Sequence, residues 1–237
     1  MSIVNYYDAM PRKYRDKNSQ YKNYPAIRIS IPNRILIVGS SGSGKSNILL
    51  NLIIGMNCFT KIWFIVKSPD EPLYKFFISE IREIEKKLKI SMLTVSSDID
   101  DIPHIDEIDK DETNLFVFDD VISEKTTRLK NISDFWIRGR KQNITTIFLS
   151  QSFYKTPHII RQNTDVIIFK KIGTRRDLKM ILSDYSLDKS VEELMQMYKR
   201  CNTGDINNFF MIDLKTNKTE DKFRMNFDPF PLNELKD

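Results

Sequence analysis

The sequence predicts an α/β fold: a mainly parallel sheet flanked by helices, followed by a small C-terminal β-hairpin. Three observations carry this. An apolar run, Ile35-Leu-Ile-Val, enters a cluster of glycines and leaves it as a helical stretch, Asn47-Ile-Leu-Leu-Asn-Leu-Ile-Ile54. From Arg34 onward, short β-rich runs alternate with helical patterns, the order that winds a parallel sheet. A second apolar run, Leu115-Phe-Val-Phe, ends in two acids, Asp119-Asp120.

The strands fall at 34–38, 61–66, 92–96, 115–119, 145–150 and 165–170. The clearest helix covers 71–89, where Leu73, Phe76, Phe77, Ile81, Ile84 and Leu88 recur at helical spacing and predict one buried face. Two further helices are expected at 177–182 and 188–199. Alternating runs at 209–214 and 222–227 flank Thr216-Asn217 and read as the hairpin. Residues 1–30 form a basic arm rich in tyrosine (Tyr6, Tyr7, Tyr14, Tyr21, Tyr24), interrupted by Pro11 and Pro25. It is read as a strap packed on the core, with DNA contact as the alternative. The division is thus an arm (1–30), a core (31–200) and a hairpin with its tail (201–237).

Three of the seven glycines, Gly39, Gly42 and Gly44, lie within six residues of Gly39-Ser40-Ser41-Gly42-Ser43-Gly44-Lys45-Ser46-Asn47. This is the G-x-x-x-x-G-K-S pattern of Walker A, between a strand and a helix as its chemistry requires. Glycines let the backbone turn with positive φ and approach phosphate closely. Successive N–H groups and the helix N-terminus then hold the anion. Lys45 would reach the β- and γ-phosphates of ATP and Ser46 would ligate Mg²⁺. Asp119 and Asp120, closing a buried strand, fit Walker B: Asp119 for Mg²⁺, Asp120 to polarise the attacking water. The pieces together specify a P-loop NTPase of the RecA or ASCE kind. Gln151 ends the strand Thr145-Thr-Ile-Phe-Leu-Ser and is read as a sensor of the γ-phosphate. Arg140 is the candidate for an arginine delivered to a neighbouring subunit's site, with Arg138 and Arg161 behind it; the plainer reading is a basic helix end.

Charge is unevenly spread. Residues 98–112 hold eight carboxylates and one lysine, a net −7, so the overall +5 leaves +12 on the rest. Basic clusters at 12–28, 125–141 and 170–179 suit a polyanion. The acidic stretch is expected as an outward loop or helix. No apolar run approaches the roughly 20 residues of a membrane span, and the amino terminus has no signal-like apolar stretch. Cys58 and Cys201 lack metal-ligand spacing and are expected to be reduced, as inside a cell.

Over 35–171, and most tellingly from Arg140-Lys-Gln-Asn-Ile-Thr-Thr-Ile-Phe-Leu-Ser-Gln151 to Pro157-His-Ile-Ile-Arg161-Gln-Asn163, the chain resembles the FtsK–HerA superfamily. Within it, the resemblance is greatest to the poxvirus-type genome-packaging ATPases of large DNA viruses and virophages. Two positions depart from the pattern: Asp120 stands where many members have Glu, and Lys141 where the packaging group often has His. The resemblance implies a homo-oligomeric ring, a pentamer or hexamer, with ATP between subunits and double-stranded DNA in a central channel, gripped without reading sequence. It also implies that residues 98–112 lie away from DNA, with docking of a capsid component as the alternative, a capsid or portal partner, and a location in the host cytoplasm, the viral factory or the virion. A cellular-type translocase or repair motor is the nearest alternative, then a protein that binds ATP only to assemble. A GTPase is disfavoured: Asn217-Lys218-Thr219-Glu220 ends in Glu and sits in the hairpin turn, and Val121-Ile122 follows the paired acids.

Overall fold

The computed structural model describes Pro11 and residues 21–121, 126–186 and 188–231. Among these, β1 (Arg34–Val38), β2 (Lys61–Val66), β3 (Leu93–Ser96), β4 (Asn114–Asp119), β5 (Ile144–Ser150), β6 (Val166–Phe169), β7 (Phe210–Asp213), β8 (Phe223–Met225) and β9 (Asp228–Pro229) form one sheet. Their order is β3-β2-β4-β5-β1-β6-β7-β8-β9. The first six strands are parallel and the last three pair antiparallel. Helices α1 (Lys45–Met56), α2 (Pro72–Leu88), α3 (Thr126–Arg138), α4 (His158–Gln162), α5 (Arg175–Asp184) and α6 (Val191–Asn202) cover its faces. The expected mainly parallel α/β fold is therefore present, with strand ends differing by a residue or so.

Because strand side chains alternate, each apolar strand feeds two cores. Ile35, Ile37, Leu115, Val117, Ile147 and Leu149 face α1 and α2. Leu36, Val38, Phe116, Phe118 and Phe148 face α3, α5 and α6. The second core is aromatic: Phe116 and Phe135 stand 4.4 Å apart, and Trp136 meets Phe148 edge-on at 5.9 Å. Of the arm, the described part packs on the first core. One helical turn, Tyr24–Ile27, leads into Ile27, Ile29 and Ile31, all buried. A side chain at Gly55 would strike Ile27 Cδ1 at 2.4 Å, so α1 carries glycine where the chain crosses it. Tyr6, Tyr7 and Tyr14 lie outside the described residues. Cys58 and Cys201 are free thiols.

Two expectations need correction. On α2 the buried row is Tyr74, Phe77 and, unexpectedly, Glu85, while Phe76, Ile84 and Leu88 are 59%, 41% and 62% exposed. The apolar stripe is wider than the sheet surface it meets, so only one ridge is covered. Glu85 is stabilised there by accepting from the Met92 and Leu93 amides at 2.6 and 2.8 Å and from Arg82 at 2.7 Å. The acidic segment is also more than a solvated loop. Its carboxylates point outward, but Ile99, Ile102, Ile105 and Ile108 are buried in the aromatic core through two 3-10 turns, Ile99–Asp101 and Ile105–Glu107. An isoleucine at every third position is the 3-10 period, a signal an argument from charge overlooks.

The hairpin is no appendage, since β7 continues the main sheet beside β6. Its strands are joined by a long connection containing the 3-10 turn Thr219–Asp221. Buried Arg224 holds it, donating to Asp213 Oδ2 at 2.7 Å, to the Asp221 carbonyl at 2.7 Å and to the Arg28 carbonyl at 2.8 Å. Burial raises the Asp213 pKa against the pull of Arg224. Arg224→Met should cost about 3–5 kcal/mol in urea unfolding by stranding Asp213, and Arg224→Met/Asp213→Leu should recover most of it. A single variant as stable as the parent would show that the pair does not seat the hairpin.

Candidate active site

Between β1 and α1 the chain makes the tight turn that its glycines anticipate. Gly42 and Gly44 have φ of +68° and +91°, which disfavour other residues. Gly39 is needed for space instead: a Cβ there would lie 2.6 Å from Ser43 Oγ and 2.7 Å from Lys170 Cβ. The loop is tied to the strands on either side, Gly39 N to the Ser150 carbonyl at 3.1 Å and Ser40 N to the Lys171 carbonyl at 2.8 Å. Ser41 and Gly42 are exposed at its tip and Ser43 is buried. Lys45 curls back across it, its Nζ donating to the carbonyls of Gly39 at 2.9 Å and Ser40 at 3.1 Å. Burial lowers the Lys45 pKa, while Asp119, Asp120 and Glu71 oppose the shift.

Strand register brings the acids to the same end of the sheet, since Asp119 pairs across β5 with Leu149 and Val38 pairs with Ser150. Tyr74, reaching in from α2, donates its hydroxyl to Asp119 Oδ2 at 2.6 Å and lies 3.1 Å from Ser46 Oγ. It is nearly fully buried. Burial pushes the Asp119 pKa up to about 6, with Asp120 adding to the shift and the Tyr74 hydroxyl and Lys45 resisting it. Asp120 follows with φ +58°, a left-handed conformation that Asp tolerates better than most residues. Gln151 Nε2 donates to Asp120 Oδ1 at 2.9 Å. Lys45, Ser46, Asp119, Asp120 and Gln151 thus converge at the C-terminal edge of β1, β4 and β5.

The three arginines do not join them. Arg140 lies in the turn Gly139–Gln142 that precedes β5, at the opposite end of the sheet. A strand of this length separates it from the glycine loop by on the order of 20 Å. Its exposed side chain lies near Lys215 and the Arg34–Asp165 ion pair. Arg138, at the end of α3, is ion-paired to Asp106 of the acidic segment. Arg161 donates to the Thr156 carbonyl at 3.1 Å and stacks over Phe153. Asn217-Lys218-Thr219-Glu220 also lies at the far end, where β7 leaves the sheet opposite the start of β6.

Sequence reasoning missed three contributors. Tyr74 bridges Ser46 and Asp119, yet its only signal was an aromatic on an amphipathic helix. Glu71, which precedes α2, brings a third carboxylate close enough to influence Lys45 and Asp119. Lys170, directly after β6, lies beside Gly39, with its ammonium drawn inward to main-chain carbonyls. Among the described residues no cluster of three or more His, Cys, Asp or Glu is set to hold a metal, and no helix is long and apolar enough to cross a membrane.

Comparison with known proteins gives a consistent relationship. The DNA packaging protein OPG160 of Vaccinia virus (strain Copenhagen) is 24% identical over 185 residues, covering 76% of this chain and 68% of that protein. Among solved structures, the genome packaging NTPase B204 of Sulfolobus turreted icosahedral virus 2 bound to AMPPCP aligns with a TM-score of 0.56 at 16% identity, covering 82% of this chain and 97% of that one. Its complex with ATP-gammaS gives 0.55 over the same shares. At such identities these structures establish likeness of fold. The model of the family described as Poxvirus A32 protein matches residues 24–213, a span running from the described end of the arm through β7, and the chain belongs to that family.

Proposed function

We propose that this chain is an ATPase that drives double-stranded DNA during the packaging of a viral genome, working as a homo-oligomeric ring of five or six subunits. The observation that carries the ATPase reading is the convergence of Lys45, Ser46, Asp119, Asp120 and Gln151 on one strand edge. In this reading Gly39 to Asn47 cradle the phosphates and Lys45 leaves its loop carbonyls for the β- and γ-oxygens. Asp120, oriented by Gln151, positions and polarises the attacking water. Ser46 and Asp119 are hard oxygen donors bridged by Tyr74, and with ATP phosphates and water they suit Mg²⁺, which often takes only one or two protein ligands. When bound, Mg²⁺ would neutralise charge developing on the phosphates.

The packaging role rests on family membership and on OPG160 being a DNA packaging protein. A cleft between α5 and α6 is lined by Lys171, Arg175, Lys179 and Lys199 against one acid, Glu192, which pairs with Lys179; its net positive charge offers a surface for the phosphate backbone. A capsid or portal component is the further partner this role requires. The test is ATP turnover with and without double-stranded DNA, alongside the oligomeric mass. Stimulation by DNA in a ring supports the motor. Stimulation by a small hydroxyl acceptor instead, or ATP-dependent assembly without turnover, would sink it.

Tyr74 and Asp119 add a pH prediction. Below about pH 6 Asp119 of the metal-free protein takes up a proton, so Mg²⁺ binding should weaken there and turnover at limiting Mg²⁺ should fall. The ligand-free protein should gain stability over the same interval, because the folded state takes up a proton while the unfolded carboxylate, with its ordinary value of 3.8, is still ionised. Tyr74→Phe removes a donor that favours the carboxylate. It should shift the acid limb of the rate profile upward and weaken Mg²⁺ binding by about tenfold. An unmoved acid limb would remove Tyr74 from this role.

A further inference from the structure

Beside the glycine loop, on the side away from the acids, residues 203–209 connect α6 to β7. They are held against the site by hydrogen bonds from Lys170 and Asn47. Lys170 Nζ donates to the carbonyls of Ile206 and Asn208, each at 2.5 Å. The same side chain runs past Gly44, where a Cβ would lie 3.8 Å from Lys170 Cε. Asn47, in the first turn of α1, donates to Asn207 Oδ1 at 3.2 Å. Asp205 Oδ1 accepts both from the Asn207 amide at 2.8 Å and from Asn207 Nδ2 at 3.0 Å, fixing the tip of the loop. On this anchored backbone Ile206 is 76% exposed.

The direction of a bound nucleotide gives this loop a task. Asp119, Asp120 and Gln151 stand on β4 and β5, on one side of β1 in the sheet order, so the γ-phosphate points that way. The first turn of α1 receives the phosphates nearer the sugar. The nucleoside must therefore leave the loop on the other side of β1, over β6 and β7, where residues 203–209 stand. Isolated exposed aliphatic residues are common. An aliphatic side chain on a backbone fixed by a buried lysine and tied to the phosphate-binding helix is a different case.

We propose that residues 203–209 seat the base of the nucleotide, with Ile206 lying on the face of the ring and Asn207 coupling the loop to α1. This deepens the ATPase reading and rests on it. Contact with a ring face, rather than with its edge, scales with area. It favours purine over pyrimidine triphosphates and separates adenine from guanine only weakly.

The test measures affinity of the full chain for ATP, UTP and inorganic tripolyphosphate by calorimetry. Ile206→Ala should weaken ATP about five- to tenfold while leaving tripolyphosphate unchanged, and Ile206→Leu should restore most of the loss. The preference for ATP over UTP should shrink in Ile206→Ala. Unchanged ATP affinity in Ile206→Ala overturns the base seat, as does an equal loss for ATP and tripolyphosphate, which would mean that the loop acts only by supporting the phosphate site. The parent reading is tested separately: a wild-type chain that binds neither ATP nor tripolyphosphate overturns both.

Discussion

Lys45→Ala should lower ATP turnover by about 10³-fold or more while leaving the fold intact. One preorganised donor at a site of developing charge is commonly worth 10²–10³ in rate, and Lys45 would bring a full charge to the phosphates. The fold should survive because Lys45 is the first residue of α1, where alanine is an excellent helix former. Burial already depresses the Lys45 pKa, so the folded state carries a cost for the ammonium that the variant relieves. Thermal unfolding should show little change beside an inactive enzyme, because relief of that cost offsets the loss of the two Lys45 bonds to the Gly39 and Ser40 carbonyls. An active variant, or one that fails to bind tripolyphosphate only because it has unfolded, would separate the two halves of this expectation.

Arg140→Ala should also abolish turnover, by about 10³–10⁵-fold if its guanidinium completes the site of the next subunit. Its own subunit's glycine loop is too distant for contact. Its side chain is exposed at the opposite end of the sheet, near Lys215 and the Arg34–Asp165 ion pair. A mixing experiment isolates the trans role. Subunits carrying Arg140→Ala and subunits carrying Asp120→Asn are each inactive alone, but a mixed ring contains interfaces with an intact Arg140 facing an intact Asp120. Some activity should return. Absence of rescue under conditions where subunits exchange would rule Arg140 out as the donor. Arg138 and Arg161 rank below it on structural grounds, because one is ion-paired to Asp106 and the other is packed on Phe153 and bonded to Thr156.

The glycine loop, the paired acids and Gln151 were legible in the chain because each depends on near neighbours. Positive φ calls for glycine within a turn, and a buried parallel strand calls for an unbroken apolar run before its polar end. The same reasoning placed the six parallel strands to within a residue or so. It failed on α2, where a periodic stripe said that some face was buried but not which ridge, and so passed over Tyr74 and Glu85. It also read the acidic segment by its charge and missed the isoleucines that anchor it.

What local pattern established, then, was a tight glycine turn between a strand and a helix, a strand with paired acids and the alternation that makes a parallel sheet. The bridge from Tyr74 to Ser46 and Asp119, the seating of Arg224 on Asp213 and Arg28, and the anchoring of residues 203–209 by Lys170 came from packing across the fold. Each joins groups 11 to 196 residues apart in the chain. Propensity and spacing act over a few residues, whereas the partner of a buried hydroxyl or ammonium is set by which elements the sheet order makes neighbours. Arg140 belongs with these: the chain marked it as a basic helix end or a finger, and only the fold shows that it stands at the far end of the sheet from its own subunit's glycine loop.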